Sequence, residues 1–249
     1  MRTLYVSAAV AAMLFVLGAV LYSPVAGIFP AVLGFVAVGL GIFLNRRKQV
    51  DAAILPLTGL LEQQKVDEAI ALIRSIQAKH GPWVPGLDGQ LNAQLGLFEY
   101  MQQRWDAALP LLMEGRWRNP LALLCIGAIH LRRKEESKAF EFMREAEDAA
   151  NKDPNVYVVH AVFHARRGDR PEALKILARG AEACENTKPI ERVQRVVANG
   201  KRIDPEKLPE MWMQVWPEDL IARMRRMGYG LPGGPPVPGA GNRRSRRRQ

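Results

Sequence analysis

The chain has 249 residues and a formal charge of +10, from 35 Lys and Arg against 25 Asp and Glu. Its only cysteines, Cys125 and Cys184, are far apart and in no metal-type spacing; this excludes a disulfide framework and suits a reducing compartment. The charge is also uneven. Residues 1–49 hold four basic and no acidic residues, 222–249 hold eight arginines and no acidic residue, and 50–221 hold 23 basic against 25 acidic, a net of −2. A nearly neutral middle is not a surface built to hold nucleic acid.

The first elements are apolar. Residues 4–22 and 25–44 carry no charge over 19 and 20 positions. At about 1.5 Å per residue each would span roughly 28–30 Å, the thickness of a bilayer core. Ser23-Pro24 leaves room only for a tight turn, so residues 1–49 are expected to form a transmembrane hairpin. Pro30 either kinks the second helix or sits in its first turn. Small residues four apart (Ser7 and Ala11, Ala8 and Ala12, Ala37 and Gly41) would let the two helices approach closely. Arg46, Arg47 and Lys48 follow the second run, Arg2 precedes the first, and the turn has no charge. That bias places both ends in the cytoplasm of a bacterial-type inner membrane. A cleaved signal peptide fits less well, because Val25-Ala26-Gly27 is a poor cleavage site.

From residue 50 to 187 the texture is helical, rich in Leu, Ala, Glu and Arg, with breaks at Gly and Pro. The stretch "HARRGDRPEALKILARGAE", 164–182, is one copy of a repeat. Ala161 precedes Ala173 by twelve positions, Gly127 precedes Ala139 by twelve, and Gly96 precedes Ala108 by twelve. A weaker copy sets Leu57 ahead of Ala69. Such a pair belongs to antiparallel helices whose backbones touch where no bulky side chain intervenes. A period near 34 residues stacks the hairpins into a superhelix. "KHGPWVPGLDG", 79–89, reads as a loop between the first two copies.

This pattern resembles the tetratricopeptide repeat, with Gly or Ala at the eighth position, Ala at the twentieth and, at Ala146, the small residue of the twenty-seventh. The fold class is therefore all-α: a two-helix hairpin, an α-solenoid of about four helix pairs, C-terminal capping helices over 188–227, and a Pro/Gly/Arg tail over 228–249 with no core. Trp212, Val215 and Trp216 are expected to pack onto the last repeat.

No catalytic motif stands out. His160 and His164 share a helix face at four-residue spacing, but the glutamate of a zinc-protease pair is missing. No phosphate loop is present either. Neither enzymatic activity nor a cofactor or metal is expected. By the repeat register His130 and His164 occupy a position that is normally aromatic, so a packing role is the expectation for both. The resemblance implies a concave face lined by Leu97, Tyr100, Met101, Leu124, Leu131, Arg132, Val158, Val162 and Arg166, suited to a helix or extended segment of a partner protein. Its competing state is a groove filled by the chain's own flanking helices. The lysines and asparagines with which family members grip chaperone tails are absent. Arg243, Arg244, Arg246, Arg247 and Arg248 could hold anionic lipid, touch RNA or ribosomes, or remain solvated. Residues 220–227 could add a segment lying on the lipid surface. The whole reads as a membrane-anchored adaptor for other proteins. The alternatives are a subunit working on the outer side of the membrane, or an RNA tether.

Overall fold

The computed structural model describes residues 2–21, 24–63 and 65–226, with the side chains of 2–3, 17–21, 24–27, 29–30, 58, 61–62 and 226 outside that description. The tail over 228–249, its five arginines included, lies outside the described residues. Among the described residues there are twelve α-helices and no strand, so the chain is all-α. It divides into two compact units, 1–95 and 96–249.

In the first unit α1 (Arg2–Leu21) and α2 (Pro24–Glu62) lie antiparallel. Two glycines of α2 make this possible. A Cβ at Gly34 would overlap Leu14, and one at Gly39 would stand 3.1 Å from Ser7 Oγ. The outer faces leave Leu4, Tyr5, Met13, Val16, Val32, Leu33, Val36 and Leu40 exposed. No helix among the described residues is long and apolar enough to cross a membrane; the side chains of 17–27 and 29–30, which belong to both uncharged runs, fall outside them.

The second helix does not stop at residue 44. It continues through Arg46, Arg47 and Lys48, because Asn45 to Leu55 contains neither Gly nor Pro and is rich in residues that tolerate a helix, and it runs on past Pro56 and Gly59 to Glu62. The face expected to open the first repeat is thus the second half of α2. It packs on α3 (Val66–His80), with Ala69, Ile73 and Ile76 buried. Arg46 stacks over Trp83, 4.6 Å from the ring centroid. The inter-copy loop is shorter than expected, since α3 runs to His80 and α4 (Leu87–Met101) starts at Leu87.

The second unit is a solenoid-like stack of helical hairpins. The end of α4 pairs with α5 (Trp105–Glu114), α6 (Pro120–Arg132) with α7 (Glu136–Ala149), and α8 (Pro154–Arg166) with α9 (Arg170–Ala183). The small residues sit where the spacing requires. Ala108, Ala139, Ala146, Ala161 and Ala173 are fully buried. A Cβ at Gly127 would come within 2.9 Å of the Ala139 carbonyl oxygen, and one at Gly96 within 2.8 Å of Leu112. Pro120 and Pro154 open their helices, where a missing N–H costs nothing. The preceding Asn119 and Asp153 cap them, accepting from Ala122 N at 3.1 Å and Asn155 N at 2.9 Å.

The turns inside the hairpins share one construction. Arg104 N bonds Glu99 O, Glu135 N bonds His130 O, and Asp169 N bonds His164 O, each five residues back. In each, the residue before the bonding amide has positive φ: Gln103 at 61°, Lys134 at 61° and Gly168 at 89°. This is the left-handed helix stop that glycine fills without strain. Lys65 N to Leu60 O repeats the bond in the first unit.

Beyond the hairpins, α10 (Lys188–Ala198) packs on α8 and α9 through Ile190, Val193 and Val197. A single 3₁₀ turn, Pro205–Lys207, leads to α11 (Glu210–Val215) and α12 (Pro217–Arg226). These last two return to the concave side, where α11 packs on α6 and α8.

Candidate functional site

The face expected to receive a partner is built from the inner helices α6 and α8 together with the end of α4. Its apolar floor is complete: Tyr100, Leu124, Val158 and Val162 are fully buried, and Leu97 and Leu131 are partly buried against the same core. Met101 stays 43% exposed at the lip. What covers the floor is the chain itself. Trp212 and Val215 of α11 are fully buried in the same cluster. Trp212 lies 4.9 Å from Phe163 and Trp216 lies 5.4 Å from it, ring centre to ring centre.

The polar groups of the groove serve the same segment. Arg132 donates from Nε and Nη2 to the two carboxylate oxygens of Glu218, both at 2.8 Å, the bidentate geometry that favours arginine. Its third nitrogen donates to the Tyr100 hydroxyl oxygen at 2.9 Å. That hydroxyl donates onward to the Val215 carbonyl at 2.5 Å. The guanidinium also lies over three aromatic rings, at 4.1 Å from Trp216, 4.3 Å from Trp105 and 5.5 Å from Tyr100. Burial pushes the Tyr100 phenol well above its usual range, so it stays a neutral donor. One repeat on, Arg166 pairs with Asp219 at 2.5 Å and stacks on Trp212 at 4.5 Å. Asp219 also accepts from Trp212 Nε1 at 2.8 Å.

Both groove arginines, 34 residues apart in sequence, therefore take the same partner: an adjacent carboxylate on α12 plus a tryptophan face. In the sequence this was visible only as "WMQVWPED", two tryptophans four apart followed by two acids. Spacing alone placed the tryptophans on the last repeat; the structure spreads them over two. In α12, Leu220 and Ile221 are half-buried, while Ala222, Met224 and Arg225 are exposed.

The histidines serve the stack. His130 Nδ1 meets Glu135 at 2.7 Å and its ring lies parallel to Phe142. His164 Nδ1 meets Asp169 at 3.2 Å and its ring stacks on Phe140 at 4.0 Å. Each clasps the turn five residues long that follows it, as Glu99 and Arg104 do at 2.5 Å in the preceding hairpin. The bond from His130 holds the Glu135 carboxyl below its ordinary value. His160 is buried and bonds Glu147 at 2.5 Å, and Arg179 takes the other carboxylate oxygen at 2.9 Å. Burial alone would raise the Glu147 carboxyl, but these two bonds outweigh it and hold it below the usual range. Among the described residues no three His, Cys, Asp or Glu side chains are grouped to hold a metal ion. Cys125 is fully buried, and burial raises its thiol far above the ordinary value.

Compared with known proteins, the chain matches no family model, and no curated protein is similar to it in sequence.

Proposed function

We propose that this protein is a membrane-tethered helical-repeat scaffold that receives a short helical segment of a partner protein on its concave face. The observation that carries the reading is the way this face holds residues 212–219. Two tryptophans fill the apolar floor, and two arginines each take a carboxylate. A surface of that kind discriminates an aromatic and acidic helix from other segments by its buried anchors and paired charges. A partner would present the same groups and replace α11 and α12, which act as the resting occupant. The resemblance of the hairpins to tetratricopeptide repeats supports a binding role.

The tether is the hairpin of α1 and α2. Its support is the pair of uncharged runs in the sequence, the glycine-mediated packing, and the exposed apolar side chains on both helices. The basic cluster at 46–48 supports a cytoplasmic location for the repeats.

The test is photo-crosslinking in cells from Met101 at the lip of the groove, with Lys138 on the outside of α7 as control. The comparison is between the natural chain and a Trp212→Ala/Trp216→Ala variant. A discrete protein adduct from Met101, stronger in the variant and absent from Lys138, is the expected result. Adducts confined to residues 210–226 of the same chain in both proteins would sink the partner reading. Recovery of the full chain in the soluble fraction after an alkaline carbonate wash would sink the tether separately.

A further inference from the structure

We propose that the cleft between the α8–α9 turn, the loop over 200–205 and α12 is a binding site for a phosphate-bearing polyanion. It goes beyond the scaffold reading and does not depend on it. The cleft encloses about 880 Å³ and is lined by Arg166, Arg170, Lys201, Arg202, Asp204 and Asp219, among others. That size suits a small charged molecule or a headgroup.

The charges decide what would enter. Both acids are already engaged. Asp219 accepts from Arg166 and from Trp212, and Asp204 caps the Glu206 N–H at 3.1 Å and faces Lys207 at 3.9 Å. Arg166 is satisfied by Asp219. This leaves Arg170, Lys201 and Arg202, all exposed, none of which pairs with a carboxylate among the described residues. On the inner helices beside the cleft, Arg132 and Arg166 each have a carboxylate partner.

The backbone holds the three cations together. Gly200 has φ of +63° and a Cβ there would meet Arg170 Nη1 at 2.7 Å, so glycine lets the guanidinium lie against the loop. Arg170 Nη2 donates to the Gly200 carbonyl at 3.3 Å. Gly200 N and Lys201 N bond back to Val197 O and Val196 O at 3.0 and 3.1 Å, and Ile203 is packed against the core. The loop is therefore anchored on both sides of Lys201 and Arg202. Three like charges held in one cleft repel each other, and a ligand with several negative oxygens relieves that repulsion. A phosphate monoester carries about −1.5 to −2 near neutral pH, with three acceptor oxygens that match guanidinium forks.

The experiment is isothermal titration, at fixed ionic strength and without detergent, of the full chain held in a polymer-bounded disc of neutral phospholipid. To remove binding by the tail, Arg243, Arg244, Arg246, Arg247 and Arg248 are replaced by serine in every protein compared. The soluble probes are inorganic tripolyphosphate and an inositol phosphate; the lipid probe is a vesicle of neutral phospholipid carrying a phosphoinositide. One-to-one binding, weakened at least about tenfold by Lys201→Ala/Arg202→Ala and also weakened by Gly200→Ala, is the expected result. Site-dependent binding of the soluble probes identifies a free phosphorylated molecule, and site-dependent binding of the vesicle alone identifies a lipid headgroup. Equal binding with and without the two cations, or no binding of any probe by a chain with an unchanged circular dichroism spectrum, overturns the proposal.

Discussion

Replacing Trp212 with alanine tests the seat of the C-terminal helices most directly. The indole is fully buried between Phe163, Trp216 and the Arg166 guanidinium, and its N–H donates to Asp219. Truncating a buried tryptophan costs about 3–5 kcal/mol, the lost transfer energy plus the cavity left behind. Loss of the hydrogen bond adds roughly 1 kcal/mol, limited because Asp219 keeps Arg166. Because α11 has only six residues and can shift to refill part of the space, the expected loss is about 4 kcal/mol. Against a typical domain stability of about 5–15 kcal/mol that is a large fraction. Urea unfolding followed by far-ultraviolet circular dichroism measures it, and amide exchange of α6 and α8 localises it. Faster exchange should appear at Leu124, Val158 and Val162. A Trp212→Ala chain within about 1 kcal/mol of the natural one, with unchanged exchange there, would refute the claim that residues 210–226 occupy the groove in solution.

Three further outcomes follow from the same geometry. Gly127→Ala should destabilise the α6–α7 hairpin by about 1–3 kcal/mol despite alanine's better helix propensity, because its Cβ meets the Ala139 carbonyl oxygen at 2.9 Å; urea unfolding checks it. His164 is held below the ordinary imidazole value by burial first and by the nearby His160 next. As pH falls through about 6.5 the unfolded chain therefore takes up a proton that the folded chain resists, and stability is lost. His164→Phe should flatten this part of the melting-temperature profile, leaving a separate loss at lower pH as the Glu147 carboxylate is protonated. Cys125, buried and with its thiol raised, should react with a maleimide at pH 7 only at the rate of unfolding, as read by mass spectrometry in increasing urea.

Much of the architecture was written locally. The twelve-residue spacing of Gly127 and Ala139, or of Ala161 and Ala173, is a statement about one hairpin, and one hairpin is a local object whose backbones either can or cannot touch. The same holds for Pro120 and Pro154, which mark helix starts wherever the helices later lie, and for Gly168, which stops α8 with a positive φ that Gln103 and Lys134 adopt without help from their side chains. The register also put Leu124, Val158 and Val162 on the inner helices, where the structure buries them in one core.

The sequence left open whether a partner or the chain's own flanking helices fill the groove, and the pairing that decides it was not legible. Arg132 and Glu218 are 86 residues apart, and no periodicity links them. Their pairing exists because α10 and the loop after it turn the chain back across α6 and α8, which brings the tryptophan faces and carboxylates of "WMQVWPED" onto two arginines one repeat apart. The cleft beside them is likewise a tertiary product, since Arg170 shares it with Lys201 and Arg202 because Gly200 lets the guanidinium lie against the loop. Sequence determined the helices and the faces they could offer; the return of the chain decided which face is filled and which cations, among the described residues, are left without a carboxylate.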